Sequence, residues 1–376
     1  MTYITAPQSP RAHQLSIEEL LGIKDPVHFK NDPTGTRTIC VERVPGKLDK
    51  DPTPLRALEE IARFNEKYTE IREEERKALY YTFCIPKRSG KLRRIDAPYP
   101  ELMNCLYELK GILDSAMPWS YHTSAYAYVR GRCAVDAVRK HQSAESRWIL
   151  KLDLSNFFGS ITLQFAMDML SMIYPFSAIC ESKYGYEQLE MALELAFLNG
   201  GLPQGTPISP LITNIIMIPI DHALCNGLND FNKTSFVYTR YADDIDISSK
   251  YSFRYTEVVR FVEQTFNKFK APFKINHQKT HYGSTSGRNW MLGVMLNGNN
   301  EITIGRAKKK QFEAMLHQFA TDYKSGNPWD KPDIQVLNGL ISYYRSVEGN
   351  TIDRIIQHFE QKTGVAIAER IAQGLK

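Results

Sequence analysis

The stretch Tyr241–Ser248, YADDIDIS, sets two carboxylates side by side at the head of a run in which apolar and polar residues alternate. A period of two marks a strand with one buried face, so Asp243 and Asp244 stand where a buried strand meets a turn. Adjacent Asp residues are ordinary in turns, because a short carboxylate accepts from nearby backbone N–H groups. On the dipeptide alone, a solvated turn is the plain reading. Only a further acid delivered to the same place would point to a bound cation. KLDLSNFFGSI supplies one: Asp153 ends another apolar strand and precedes a polar turn, where by itself it would cap the next helix. Two neighbouring strands of one sheet would bring Asp153 beside Asp243 and Asp244. Three carboxylates about one point resist joint ionisation unless cations neutralise them. Magnesium suits such a place, since it takes one or two carboxylates together with phosphate oxygens.

The remaining composition is compatible with that chemistry without demanding it. A chain of 376 residues exceeds one core of usual size, and a net charge of +5 suits a polyanionic partner. The six cysteines, Cys40, Cys84, Cys105, Cys133, Cys180 and Cys225, form no C-x-x-C pair. Zinc and a disulfide framework are therefore not expected, and a reducing cytoplasm fits best. The N-terminus lacks a charged-then-apolar leader pattern. The apolar tract Leu211–Cys225 is interrupted by Thr213, Asn214, Pro219 and Asp221, which reads as a buried helix rather than a membrane span.

Along the chain, Ser16 and Glu19 form a capping box. A Pro- and Gly-rich segment follows, and then one long charged helix capped by Thr53 and running through LRALEEIARFNEKYTEIREEERKAL. YYTFCIPKRSGKLRRIDAP reads as two strands joined at Lys87–Lys91. Helices are expected near Pro100–Met117 and Ala134–His141, a strand at RWILKLDL, a helix at LQFAMDMLSMI, and one long apolar helix at PISPLITNIIMIPIDHALCNGL. A hairpin broken at the acids and the amphipathic helix YTEVVRFVEQTFNKF follow. The tail is expected to be helical over Ala307–Tyr323, Asp333–Val347 and Thr351–Gly374. Mixed strands followed by helices predict an α+β core and a helical domain.

Seven motifs in order resemble the reverse transcriptase family: IPKRSGKLRRIDAP, HTSAYAYVRGRCAVDAVRKH, KLDLSNFFGSI, GGLPQGTPISPLITN, TRYADDIDISS, INHQKTHY and RNWMLGVMLN. The resemblance runs from about Tyr80 to Val347 and implies a right-hand polymerase. Its parts would be an N-terminal extension over 1–75, fingers over 76–152, a palm of antiparallel sheet and helices over 153–300, and a helical thumb over 301–376. It implies RNA-directed DNA synthesis with two Mg²⁺ ions, Mn²⁺ being a substitute, about 4 Å apart to activate a 3′-hydroxyl and stabilise the leaving pyrophosphate. Asp153, Asp243 and Asp244 would bind these ions with the Leu154 carbonyl. Neighbours on a strand face opposite ways, so Asp244 should reach one ion only or act from behind the other ligands, and Asp246, which shares its face, should be structural. Lys279 would protonate the pyrophosphate.

Nucleotide binding would fall to Lys87 and Arg94 on the fingers hairpin, to Phe158, whose ring would exclude a 2′-hydroxyl, and to Gln204 in its glycine-flanked turn. Phe157 should be core. Lys91 and Arg93 would touch the template backbone. Gly293 would grip the primer end above Trp290. Lys308, Lys309, Tyr343 and Arg345, mixing basic and aromatic groups, would lie along a duplex. The size and the fingers hairpin are most similar to bacterial retron and antiphage-defence enzymes, which implies a structured non-coding RNA template, deoxynucleotides, a DNA product and an effector protein. Two retron signatures depart from pattern. Asp136-Ala137-Val138-Arg139-Lys140 stands where N-A-x-x-H is expected, with His141 one place late, and Met291-Leu292-Gly293 stands where V-T-G is expected. Both weigh slightly toward a defence-associated or unclassified bacterial enzyme over a true retron. Untemplated or protein-primed synthesis, an RNA-templated RNA polymerase and a non-catalytic nucleic-acid-binding relative are the alternatives. YADD in place of G-D-D, the Phe158 ring and the presence of all three acids favour the reverse transcriptase.

Overall fold

The computed structural model describes residues 52–86, 90, 92–117, 121–230, 235–287 and 289–375, together with the short antiparallel strands β1 (Phe29–Asn31) and β2 (Arg37–Ile39). Lys87, Lys91 and the Ser16–Glu19 capping box lie outside the described residues. The chain forms an α+β fold with antiparallel sheets. Strands β3 (Tyr80–Pro86) and β4 (Leu92–Pro98) make one hairpin, paired throughout from Tyr80↔Pro98 to Pro86↔Leu92. The largest sheet contains β5 (Trp148–Asp153), β6 (Phe236–Tyr241), β7 (Asp244–Ser249) and β8 (His281–Ser284) in the order β6-β7-β5-β8. Strands β9 (Trp290–Met291), β10 (Val294–Leu296) and β11 (Ile302–Thr303) form a third sheet.

Two compact units divide the chain. The first comprises 1–132, 152–245 and 254–280, and the second comprises 133–151, 246–253 and 281–376. In the first, helix Pro100–Ala116 buries Leu102, Leu106, Leu109 and Leu113 completely or nearly so, a single stripe at helical spacing. A second apolar layer comes from Phe157, Phe165, Phe266 and Phe273, whose rings meet at 5.0–5.7 Å. In the second unit, helices Arg306–Lys324 and Lys331–Thr363 enclose Phe312, Leu316, Phe319, Leu337 and Ile341.

Four elements differ from expectation. The long charged helix stops at Lys67 and a short one resumes at Thr69. Tyr68 leaves helical geometry between them while its hydroxyl and the Lys67 ammonium both bond to Glu108, at 2.7 and 2.6 Å. Thr53 is already helical, and Pro52 precedes it as the cap. The expected apolar helix is two helices, Ser209–Ile216 and Ile218–Asn229, bent by 43°. Pro219 has no N–H to continue the ladder, and its ring crowds the preceding turn. No single helix among the described residues is long and apolar enough to cross a membrane; the bent pair meets that test by length and composition, and most of its residues are buried. The last two expected helices run together from Lys331 to Thr363 through one non-helical residue, Glu348, whose carboxylate bonds to Thr303, the Ile304 N–H and Lys309. Gly364, left-handed at φ 66°, ends that helix before Ile367–Leu375 begins.

Candidate active site

The first unit gathers the acids. The link between β6 and β7 is Ala242-Asp243, with Ala242 left-handed at φ 57° and almost fully buried. The Leu154 N–H donates to the Asp243 carbonyl at 3.0 Å, which docks the end of β5 against this turn. Beyond β5 the chain pairs with 274–276: Ser155 N–H donates to the Lys274 carbonyl at 2.8 Å and Asn276 N–H to the Asp153 carbonyl at 2.8 Å. A turn then carries Lys279 back, so that its ammonium donates to Asp153 Oδ1 at 2.6 Å. INHQKTHY thus serves as an edge segment that delivers one cation to Asp153.

The electrostatics follow from that crowding. Burial pushes the Asp243 carboxyl above its ordinary range, and the neighbouring Asp153 charge adds to the effect, while Lys279 and Arg93 oppose it. Asp153 holds Lys279 above the usual lysine value through their hydrogen bond. Asp244 is exposed at the start of β7, and Asp246 is buried. Among the described residues no three His, Cys, Asp or Glu side chains converge into a cation site. Asp153 and Asp243 nevertheless suit a divalent ion: two carboxylates crowd each other, an ammonium already sits against one of them, and an ion that completes its shell with substrate phosphates needs only one or two protein carboxylates.

Around the acids lie the elements expected to hold a nucleotide. Phe157 is buried and Phe158 half-buried. The Phe158 carbonyl accepts from the Leu202 N–H at 3.1 Å, which ties KLDLSNFFGSI to GGLPQG. This approach requires Gly201, where an added Cβ would lie 2.3 Å from the Gly159 carbonyl oxygen. The Gln204 carbonyl accepts from the Asp96 N–H of β4 at 2.9 Å. A cleft of about 380 Å³ runs past Arg93, Arg94, Asn156, Gly201 and Gln204. Arg94 is paired with Asp96 at 2.9 Å, whereas the Arg93 charge reaches Asp243.

Sequence reasoning passed over a buried charged network behind the acids. Arg240 on β6 donates to both oxygens of Asp221, at 2.8–3.2 Å, and to Asn214 Oδ1 at 3.1 Å, while the Tyr238 hydroxyl donates to Asp221 at 2.6 Å. Arg240 and Asp221 are wholly buried. Burial alone would raise the Asp221 carboxyl, but Arg240 and Tyr238 hold it below its ordinary range. The signal was present: one charge in an apolar helix and another in an apolar strand each require a partner.

Comparison with known proteins agrees with this construction. A family model described as "Reverse transcriptase (RNA-dependent DNA polymerase)" matches residues 85–313, more than half of the chain. The chain belongs to the reverse transcriptase family. Two curated relatives are the Retron Ec83 and Retron Ec73 reverse transcriptases, both from Escherichia coli. The first is 30% identical over 76% of this chain and 88% of its own length. The second is 26% identical over 74% and 86%. As a reverse transcriptase the chain is a nucleotidyltransferase that makes DNA on an RNA template, in a family that works with divalent metal.

The second unit of the reverse transcriptase carries the remaining expected residues. Leu292 (φ 49°) and Gly293 (φ 87°) form a two-residue turn between β9 and β10, the backbone of a primed hairpin turn. Lys308 donates to the Gly293 carbonyl at 2.6 Å and lies 5.1 Å from the Trp290 ring centre. Lys309 pairs with Glu348 at 2.7 Å and Arg345 with Asp353 at 2.7 Å. Tyr343 is 40% exposed, and its hydroxyl lies 3.7 Å from where a Cβ on Gly293 would stand.

Proposed function

We propose that this reverse transcriptase serves a retron. It copies a structured non-coding RNA into DNA by adding deoxynucleotides, and its product acts with an effector protein in antiviral defence. Relatives of similar length that carry the retron name support the setting. The observation that carries the catalytic reading is the close placement of Asp153 and Asp243, with Lys279 bonded to the former. Asp153, Asp243 and the Leu154 carbonyl would hold two Mg²⁺ ions, for which Mn²⁺ could substitute, and Asp244 would reach one ion or support the others. When bound, the metal neutralises the triphosphate and acidifies the primer hydroxyl.

Every other role falls to the chain's own groups. Lys279 keeps a proton on Nζ beside Asp153 and donates it to the departing pyrophosphate. Arg93, whose charge already reaches Asp243, takes the triphosphate with Lys87, while Arg94 braces β4 through Asp96. Phe158 excludes the 2′-hydroxyl and Gln204 lines the cleft beside it. Lys91 meets the template backbone. The Gly293 hairpin holds the primer end. Tyr343 meets the duplex, with Lys308, Lys309 and Arg345 fixing the surface around it. In this reading the fingers span 76–152, the palm 153–300 and the thumb 301–376, after an N-terminal extension.

Primer extension on an RNA template tests the catalytic reading. Asp243→Asn with Asp244→Asn should lower incorporation by at least about 10³-fold with the fold intact. A folded double variant that still extends primers would remove the metal assignment. Sequencing RNA that copurifies with the protein tests the retron setting, where one enriched structured species is expected and none would refute it.

A further inference from the structure

Tyr128 is unusual on two counts. It is a non-glycine residue in the left-handed region, at φ 60°, and the residue is 60% exposed. A bulky residue there carries backbone strain that persists only where its surroundings dictate it. They do so on both sides. Before it, the Ala127 carbonyl accepts from the buried Asn214 amide at 2.8 Å, and Asn214 is itself held by Arg240. Earlier in the same loop, Arg240 N–H donates to the Ser124 carbonyl at 2.7 Å and Tyr126 N–H to the Arg240 carbonyl at 2.9 Å. Arg132 closes the segment by donating to the His122 and Ala125 carbonyls, both at 2.7 Å. The Asp221–Arg240 network therefore fixes the loop bearing Tyr128 to the strand that leads into the catalytic turn.

This strained tyrosine is directed at the candidate site. Its ring meets Phe158 edge to face, with centroids 6.4 Å apart and planes at 64°. Partial burial pushes its phenol above the ordinary pKa, with the Asp243 and Tyr241 charges adding and Arg93 opposing. Tyr128 thus meets Phe158 directly and lies within reach of the Asp243 and Arg93 charges.

We propose that Tyr128 is a positioning residue for nucleotide selection: its ring edge fixes the plane of Phe158, and with it the exclusion of ribonucleotides. The Phe158 ring already meets its neighbour Phe157, with centroids 5.7 Å apart; an edge-to-face partner in a clamped loop restricts the rotation about its χ angles that remains and keeps it from yielding to a 2′-hydroxyl. This rests on the reading of Phe158 as the sugar gate, so the test must separate the two.

The measurement is the ratio of kcat/KM for a deoxynucleotide to that for its ribonucleotide, with melting temperature as the folding control. Phe158→Ala, which tests the gate alone, should lower the ratio. Tyr128→Gly should lower it by about three- to tenfold, the worth of one aromatic contact, with the melting temperature kept or raised because glycine relieves the left-handed strain. Tyr128→Asn, also tolerant of that conformation, is the second variant should glycine loosen the loop. Tyr128→Phe should keep the wild-type ratio. In Phe158→Ala, adding Tyr128→Gly should change nothing further, since Tyr128 acts through the ring already removed. If Phe158→Ala lowers the ratio and folded Tyr128→Gly and Tyr128→Asn do not, the inference falls and the gate stands. Additive effects in the double variant also overturn it. If Phe158→Ala leaves the ratio unchanged, the gate itself is refuted, and the role of Tyr128 with it.

Discussion

Two aspartate–cation pairs of the first unit sit at opposite extremes. Asp221 and Arg240 are wholly buried, joined by several hydrogen bonds and backed by Tyr238 and Asn214. Asp153 and Lys279 share a single 2.6 Å contact with the lysine 62% exposed. Arginine presents a planar fork that matches a carboxylate at two points, whereas lysine offers a compact charge on a flexible stem. The dry pair can be broken only by stranding a charge. The wet pair can open at little cost, because water replaces either partner. A site that must admit substrate phosphates needs the second kind, and the scaffold that aims it needs the first.

The largest expected effect comes from breaking the dry pair. Arg240→Met should cost about 3–5 kcal/mol by leaving Asp221 buried and unpaired. Adding Asp221→Leu should recover most of that loss, which chemical denaturation of the single and double variants would measure. A small cost for Arg240→Met alone would mean that water reaches the pair. The next effect comes from burial beside a like charge, Lys140. His141 is fully buried, bonded to Ser248 at 2.5 Å, and burial lowers its pKa to about 3. The folded state therefore refuses a proton that the unfolded state accepts. Stability should be complete above the ordinary histidine range near 6.5 and fall by about 1.4 kcal/mol per pH unit below it, down to the folded value. His141→Gln should flatten that slope, and an unchanged slope would assign acid sensitivity to other groups. The smallest effect on stability belongs to the wet pair: Lys279→Gln should change it by no more than about 1 kcal/mol. The same variant should slow incorporation by about 10²–10⁴-fold, a separation that single-turnover kinetics beside a melting curve would reveal. Loss of fold in Lys279→Gln would make this pair structural after all.

How much of this was legible in the sequence varied with the range of the interaction. Strands and helices governed by local period were readable, including β3, β4, β5 and the helix at Pro100–Ala116. The breaks at Tyr68 and Met217 were not, although Pro219 stood in plain view as a cause for the second. The acids were legible as a candidate set from the motifs that carry them, and the structure brings Asp153 beside Asp243. That Arg94 pairs with Asp96 could not be read, because the pairing depends on which face of β4 each side chain takes. Tyr128 gave no signal at all: its significance lies in a backbone angle and in residues from three other elements. The Asp221–Arg240 pair lay between these cases, visible as two misplaced charges but not as partners.

The contact at Gly201 has a consequence for how such an enzyme can change. The loop carrying Gln204 meets the Phe158 segment through a backbone hydrogen bond, Leu202 N–H to the Phe158 carbonyl, and a Cβ added at Gly201 would stand 2.3 Å from the Gly159 carbonyl oxygen. The spacing between the two loops is therefore independent of the side chain at position 158. Evolution or a designer can alter the size of that ring without moving the frame it hangs from, so under the role proposed for Phe158 nucleotide preference becomes a trait separable from folding. Gly201 bears the opposite constraint: any substitution there pushes the two segments apart. A mutational scan should find position 158 permissive for growth of the folded protein and position 201 closed.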